Sequence, residues 1–141
     1  METTNNELRL YYNSTKKRDR ETLGYAETQD LVLNEKDISK ANLTERQFAE
    51  LANSMNISVS ELADTNADFF LSDIKGKSFG DDQWLKLLAQ HPELVKTPIA
   101  MIGNNTYFVS SPLNLIADDL EIEGIKSQKG EPSESNRNEG L

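Results

Sequence analysis

Apolar residues in the middle of the chain recur at the spacing of one helical face. Positions i, i+3, i+4 and i+7 of this face are Trp84, Leu87, Leu88 and His91, which predicts an amphipathic α-helix. Pro92 follows directly, and because proline has no backbone N–H, we expect the helix to end there. We interpret His91 as a helix-end residue whose charged form suits the helix dipole. No catalytic partner for it is evident nearby in the sequence.

A β-hairpin is predicted after this helix. Pro98 opens an apolar run that is typical of a buried strand, and a second strand is predicted over 106–109. Between them, Gly103–Asn105 contains residue types that tolerate positive φ, as a tight turn requires. We interpret Ser110 and Ser111 as the cap of a last helix rather than as nucleophiles, since no base is indicated. That helix is predicted to have Pro112 in its first turn and an inner face of Leu113, Ile116, Ala117 and Leu120.

The first part of the chain predicts a strand, a helix and a second strand. Leu8–Tyr12 is rich in strand formers and alternates in polarity. Side-chain oxygens in Asn13–Thr15 can accept hydrogen bonds from the free N–H groups of a helix over 16–28. Leu31–Leu33 predicts a short second strand, which polar residues follow. The inner face of the first helix is predicted to contain Leu23 and Ala26.

Further helical segments are predicted between the second strand and the Trp84 helix. Thr44 and Gln47 have the spacing of a capping box, and the apolar face of the helix that they begin is Phe48, Leu51, Ala52 and Met55. Ser58 has the same form and predicts a short helix through Leu62, and residues 69–74 predict another. The large aromatic residues are interpreted as core rather than as a ligand cage; they are Phe48, Phe69, Phe70 and Trp84.

The predicted folded domain spans residues 8–122. Residues 1–7 are polar, and we expect them to be frayed. Residues 123–141 are rich in Ser, Gly, Pro, Asn and charge. Because such a segment buries too little apolar surface to offset the entropy of ordering, we expect a disordered tail. The length of 141 residues suits one domain with its own core.

Composition excludes several kinds of function. The formal net charge of −9 disfavours direct nucleic-acid binding and binding to an anionic membrane. The sequence contains no cysteine, which excludes disulfides, thiolate metal sites and a thiol nucleophile within this chain. With a single histidine we expect no metal site, and no cofactor is indicated. There is no apolar run of membrane-spanning length and no signal segment, so we expect a cytoplasmic protein.

Two stretches, residues 12–23 and residues 91–112 with their Thr-Pro position before an apolar strand, together resemble the arsenate reductase (ArsC) family, which includes the Spx-type transcription regulators. Residues 91–112, HPELVKTPIAMIGNNTYFVSSP, are similar to the family in their helix stop, basic residue, Pro-Ile strand and hairpin. Residues 12–23, YNSTKKRDRETL, are similar in the Asn after the strand and in the Arg-Glu-Thr-Leu of the helix. The resemblance covers residues 8–122. It implies an α/β, thioredoxin-like (ArsC/Spx type) three-layer domain with a small mixed sheet of about four strands and inserted helices.

The resemblance also implies that the nucleophile of the family is missing. When the chain is aligned on Asn13 and on the Arg-Glu-Thr-Leu segment, the position of the family's catalytic cysteine falls at Lys16. A reactive thiolate in such a site is stabilised by the helix N-terminus and by nearby cations. Lysine has no such chemistry, and a cation at a helix start is mildly unfavourable.

The oxyanion-binding arginines of the family are missing as well. Their matching positions are Thr97, before the strand-opening Pro98, and Ser111, after the hairpin; a third falls at 64–66, where the chain reads Asp-Thr-Asn. Asn13, Lys16, Thr97, Pro98 and Ser111 are therefore interpreted as degenerate active-site positions. The resemblance further implies a cis Thr97–Pro98 bond; the alternative is a trans proline that begins an edge strand.

A candidate patch of positive charge lies at the start of the first helix. Its residues are Lys16, Lys17, Arg18 and Arg20. The functional interpretation is a site for an anion or an acidic partner. The alternative is a solvated first helical turn that Asp19 and Glu21 partly neutralise.

The leading hypothesis is a non-catalytic ArsC/Spx-like domain that acts by binding another protein. Spx-type relatives bind RNA polymerase, so the resemblance offers that partner as a precedent, although redox sensing is excluded without cysteine. The alternative is a glutathione- or glutaredoxin-linked oxidoreductase that uses an external thiol. A third hypothesis is a domain that binds a small anion without turnover.

Overall fold

A computed structural model of the protein describes residues 6–116. Within that range four strands form one sheet: β1 (Glu7–Tyr12), β2 (Val32–Asp37), β3 (Ile99–Ile102) and β4 (Asn105–Phe108). Their spatial order is β2-β1-β3-β4, with β1 parallel to β2 and the other two pairs antiparallel. This arrangement confirms the predicted small mixed sheet.

Helices cover both faces of the sheet. The longer ones in the described part of the chain are α1 (Lys17–Glu27), α2 (Glu45–Met55) and α3 (Asp81–Gln90). Single helical turns lie at Val59–Leu62, Phe70–Ile74, Pro92–Leu94 and Pro112–Asn114. No helix within residues 6–116 is both long enough and apolar enough to cross a membrane.

Alternation along the central strands divides the core into two clusters, one on each face of the sheet. Leu8 and Leu10 of β1 pack on the α1 face with Ala26 and Leu115. The next side chain, Tyr11, lies on the opposite face in a larger cluster, whose helical members are Phe48, Leu51, Trp84 and Leu88. The three layers are therefore α1, the sheet, and α2 with α3. β3 is buried along its whole length because both layers cover it.

Local sequence signals account for several boundaries. The Thr44 hydroxyl accepts from Gln47 N–H at 3.2 Å, and the Gln47 side chain accepts from Thr44 N–H at 2.9 Å, so the capping box of α2 is confirmed. α3 ends before Pro92 as predicted. The hairpin turns through Gly103, whose φ of +58° glycine adopts at lower cost than residues with a Cβ. Phe48 and Trp84 are core residues as predicted, at 0% and 8% exposure.

Some boundaries differ from the predictions. β1 begins at Glu7, which pairs with Val32, so this residue is part of the sheet and not of a frayed end. β2 continues through the polar segment to Asp37. Polar residues are accommodated there because β2 is an edge strand and is only partly covered. Residues 1–5 and 117–141, including the predicted tail, lie outside the described residues.

The predicted last helix is also corrected where it is described. Leu113, placed on the inner face, is 66% exposed, whereas Leu115 and Ile116 are buried. The chain forms a single 3₁₀ turn over Pro112–Asn114, and the tighter winding changes which side chains point inward. The predicted inner residues Ala117 and Leu120 lie outside the described range.

Candidate functional site

An open cavity of about 480 Å³ lies where the start of α1, the segment before β3 and the end of the hairpin meet. Its charged lining residues are Lys16, Arg18, Asp19, Asp64 and Lys96. Its other lining residues are Asn66, Thr97, Phe108, Val109 and Ser110. We call this cavity the groove. It brings together side chains from four separate parts of the sequence.

Backbone pairing places Asp64 and Lys96 on the groove wall. Asp64 N–H donates to the Leu94 carbonyl at 2.7 Å, and Lys96 N–H donates to the Leu62 carbonyl at 2.8 Å. These bonds flank an isolated antiparallel bridge between Ala63 and Val95. The inserted helical segment is thus fixed alongside the residues that lead into β3.

Lys16 lies at the N-cap position of α1 with an extended backbone, at the mouth of the groove. Its ammonium donates to the Val95 carbonyl at 3.3 Å and lies 3.9 Å from a carboxylate oxygen of Asp64. Both side chains of this ion pair are about a third exposed, at 31% and 30%. The pair therefore connects α1 to the inserted segment while staying in contact with solvent.

Asp19 is the buried charge of the groove, at 1% exposure. Its Oδ2 accepts from the backbone N–H of Asn13 at 2.8 Å and from the Thr97 hydroxyl at 2.5 Å. The carboxylate therefore holds the end of β1, the first turn of α1 and the approach to β3 together. The interpretation of Asp19 as part of a solvated helical turn is wrong, because the loop after β1 folds back over it.

The Thr97–Pro98 peptide bond is cis, as the resemblance implied. Pro98 is buried, and its carbonyl accepts from Val109 N–H at 2.9 Å. Thr97 lines the groove, and its hydroxyl is directed to Asp19. Two of the degenerate positions, Lys16 and Thr97, thus lie in one groove, and Pro98 is adjacent to them.

Two cations of the groove form no ion pair with any residue that the structure describes. A terminal guanidinium nitrogen of Arg18 donates to the Ser110 carbonyl at 3.2 Å. The Lys96 ammonium lies 4.7 Å from the centroid of the Phe108 ring, a cation–π contact. Within residues 6–116, neither forms a salt bridge to a carboxylate.

The four cations predicted as one patch do not all line the groove. Lys16 and Arg18 line the groove, whereas Lys17 and Arg20 do not. Lys17 is 82% exposed and pairs with Glu21 at 4.0 Å, and Arg20 donates to the Ser14 carbonyl at 2.8 Å. Helical periodicity separates them, since neighbouring residues in a helix point in different directions.

Asn13 and Ser111 do not have the capping roles predicted for their segments. The Asn13 Oδ1 accepts from the Thr15 N–H at 2.9 Å, which forms a local turn and does not cap α1. Ser111 begins the last 3₁₀ turn, and no hydrogen bond of its side chain to that turn is found in the described region. Its neighbour Ser110 lies at the groove instead and accepts from the Asn114 amide at 2.7 Å.

The loop between β1 and α1 is fixed by a second carboxylate, Asp37. Its Oδ1 accepts from Ser14 N–H at 3.1 Å and from Ser39 N–H at 3.0 Å. Burial alone would raise the pKa of Asp37, but the hydrogen bonds from both serines outweigh it and lower that pKa to about 2. Nearby, burial and a hydrogen bond to Glu35 raise the pKa of the Tyr12 phenol to about 12.

His91 lies outside the groove. Its ring stacks on Phe69 with centroids 4.0 Å apart, and its Nδ1 lies 3.3 Å from a Glu93 carboxylate oxygen. Glu93, two residues away in the sequence, is thus a neighbour of His91 in space, and neither residue lines the groove. In the described range, no group of three or more His, Asp or Glu side chains is arranged to hold a metal ion.

Sequence reasoning missed Asp64 and Lys96 as members of the groove. In the sequence, Asp64 marks only the segment that lacks the family's third arginine. Lys96 marks only the basic residue before the strand. The signal for Asp19 was present, because an acid in the first turn of a helix often accepts a preceding backbone N–H. No local pattern shows that it also accepts from Thr97, which lies 78 positions later.

Comparisons with known proteins identify the fold. No protein-family model matches the chain, and no curated protein matches it significantly. Among solved structures, an arsenate reductase from Vibrio cholerae aligns with a TM-score of 0.69 at 19% identity, over 77% of this chain and 94% of that one. A Yersinia pestis protein assigned as an arsenate reductase aligns with a TM-score of 0.69 at 20% identity, over 77% and 96%. A Staphylococcus aureus protein aligns with a TM-score of 0.59 at 21% identity, over 72% of this chain and 88% of that one. The chain thus has the thioredoxin-like α/β fold of arsenate reductase-like structures.

Proposed function

We propose that the protein is a non-catalytic ArsC/Spx-like domain that binds another cytoplasmic protein through the groove and has no arsenate reductase activity. The observation that carries this proposal is the ion pair between Lys16 and Asp64. Lys16 lies where the resemblance places a nucleophilic cysteine, and Asp64 lies in the segment where it places an arginine. An amine and a carboxylate thus replace a thiol and a guanidinium.

This exchange of charges removes the chemistry that a reductase needs. A thiolate is stabilised by cations and by a helix N-terminus, whereas the carboxylate of Asp64 would destabilise one. Thr97 and Ser111 lie where the resemblance places oxyanion-binding arginines, and the hydroxyl of Thr97 is already engaged by Asp19. The absence of cysteine from the sequence agrees with this proposal.

The groove remains open despite these substitutions, which favours a binding role. Its volume of about 480 Å³ lies within the range of ligand pockets, about 300–1,000 Å³. It combines charged side chains with the apolar surface of Phe108 and Val109. The resemblance to Spx-type regulators makes RNA polymerase the first partner to examine.

An activity assay tests the negative half of the proposal. We expect no reduction of arsenate above the enzyme-free blank when the protein is supplied with glutathione, glutaredoxin and an NADPH-coupled recycling system. A working arsenate reductase in the same buffer serves as the positive control. Turnover by the purified chain would contradict the proposal and would support an oxidoreductase that uses an external thiol.

Affinity capture tests the binding half. We would compare the tagged wild type with Ser110→Trp, which fills the mouth of the groove, and with Ser78→Trp as a matched control. Both serines are exposed, and Ser78 does not line the groove. We expect purified RNA polymerase, or a partner identified from lysate, to bind the wild type and Ser78→Trp but not Ser110→Trp. Equal retention by all three proteins would place binding outside the groove.

A further inference from the structure

We infer that the groove accepts an acidic segment of its protein partner, with an Asp or Glu carboxylate between Arg18 and Lys96 and an apolar neighbour against Phe108. This inference rests on the proposed binding function and specifies the chemistry of the partner. Of the patch predicted at the start of α1 it keeps Arg18, and it adds Lys96 from the segment before β3.

The distribution of charge in the groove points to an anionic group. Among its described lining residues, the cations outnumber the carboxylates by one. Lys16 is offset by Asp64, and the buried carboxylate of Asp19 is already hydrogen-bonded. The charges of Arg18 and Lys96 therefore remain without an acidic partner in the part of the chain that the structure describes.

The donors on these two side chains are both available and oriented. Arg18 uses one N–H on the Ser110 carbonyl, which fixes the direction of a guanidinium that has five N–H donors in all. Such a planar group can bind a carboxylate with two parallel hydrogen bonds. The Lys96 ammonium rests against the Phe108 ring, and its contacts within residues 6–116 leave its N–H donors free for a ligand.

The size and lining of the groove favour a peptide over a small inorganic anion. A volume of about 480 Å³ exceeds what one phosphate or sulfate occupies. Phe108 and Val109 offer apolar surface beside the two cations, whereas the carboxylates of Asp19 and Asp64 would repel a multiply charged anion that filled the cavity. A single carboxylate attached to an apolar side chain satisfies all of these conditions.

The acidic character of the whole chain does not oppose this local attraction strongly. The net charge of −9 repels an acidic partner at long range, but salt screens exposed charges beyond about 8 Å at physiological ionic strength. Contacts at hydrogen-bond distance are much less affected. Recognition is therefore decided inside the groove and not by long-range attraction.

Fluorescence polarisation with defined peptides provides the test. The probe is a short labelled peptide in which two Glu residues flank Leu-Phe, and its twin carries Gln in place of both Glu residues. We would titrate the wild type, Arg18→Gln/Lys96→Gln and the control Lys75→Gln/Lys77→Gln, which removes the same charge from exposed residues outside the groove. Circular dichroism of each variant verifies that it is folded.

We expect the acidic probe to bind the wild type and the control alike. Its affinity should fall about tenfold or more for Arg18→Gln/Lys96→Gln, and the Gln twin should bind the wild type more weakly by a similar factor, since charge-assisted hydrogen bonds are lost in both cases. Equal binding of the two peptides, no binding of the acidic probe, or no effect of the groove variant would overturn the inference. Inorganic phosphate would also be titrated against the bound probe at constant ionic strength. Displacement of the probe under that condition would overturn the inference, because the site would then be a small-anion site.

The same variants separate this inference from the proposed function. If Ser110→Trp loses the captured partner and Arg18→Gln/Lys96→Gln retains it, the groove binds a protein but the segment is not acidic. If the wild type captures no partner and also ignores the acidic probe, both fail. If the captured partner is lost from both groove variants and competes with the acidic probe, both are supported.

Discussion

At the scale of single residues, a buried carboxylate, Asp19, and a half-buried one, Asp37, hold the polypeptide near the start of α1. Asp19 connects the N–H of Asn13 to the hydroxyl of Thr97, and Asp37 fixes the loop after β1 through Ser14 and Ser39. The sequence predicts that an acid or hydroxyl near a helix start will find a backbone donor. It does not predict which distant residue completes the set, because that depends on how the strands pair.

Asp19→Ala should destabilise the protein by about 2 to 3 kcal/mol, because it leaves a buried N–H and a hydroxyl without an acceptor. Asp30→Ala removes an exposed carboxylate and should change stability by less than about 0.5 kcal/mol. Urea unfolding followed by Trp84 fluorescence measures both. Equal midpoints for the two variants would show that the Asp19 hydrogen bonds contribute little.

The lowered pKa of Asp37 predicts a loss of stability in acid. Its folded pKa of about 2 lies below the ordinary 3.8, so its stabilising contribution is complete above about pH 4 and is lost as the pH falls through about 2. The advantage of the wild type over Asp37→Asn in free energy of unfolding should therefore shrink over that interval. Asp30→Asn should follow the wild type. A constant gap between wild type and Asp37→Asn would contradict the assignment.

At the scale of elements, boundaries set by local chemistry are predictable, and those set by tertiary contacts are not. The Thr44–Gln47 capping box, the end of α3 before Pro92 and the turn at Gly103 all follow from residue type. The extension of β2 to Asp37 does not, because its polar residues become a strand only by pairing with β1. The exposure of Leu113 was missed because a 3₁₀ turn and an α-helix have different periods.

Two glycine substitutions should have opposite effects. Gly103→Ala places a Cβ at φ of +58° and should cost about 1 kcal/mol or more. Gly24→Ala lies in α1, where an added Cβ meets nothing within 4 Å, and should stabilise by up to about 1 kcal/mol. Chemical denaturation of both variants against wild type measures the difference. A shift of the same sign in both would indicate that backbone conformation does not control these sites.

At the scale of the whole molecule, the groove exists because the fold brings residues 16, 64 and 96–97 together. The resemblance to the arsenate reductase family correctly predicted the fold and the cis bond at Pro98. It placed Lys16 and Thr97 at one site but gave no account of Asp64 as an ion-pair partner. Alignment with a family motif shows which residue stands at each position. It does not show which side chains contact each other, because that depends on the three-dimensional structure of this protein.

Restoring the thiol alone should not restore the chemistry. We expect Lys16→Cys to show no arsenate reduction, because the carboxylate of Asp64, which lines the same groove, opposes ionisation of the new thiol. Asp64→Asn in the Lys16→Cys background should lower the pKa of that thiol, as measured by the pH dependence of iodoacetamide alkylation. Identical alkylation profiles for the single and double variants would mean that Asp64 does not act on this position.

The separation of the groove from the core has a consequence for sequence variation. Lys16 is half-buried, Lys96 is exposed, and neither side chain is part of a hydrophobic cluster, so replacing them removes little packing between the sheet and its helices. Sequences that share this architecture can therefore differ at Lys16 and Lys96 and still fold. Because the fold depends mainly on the buried core, a TM-score of 0.69 can coexist with 19% identity.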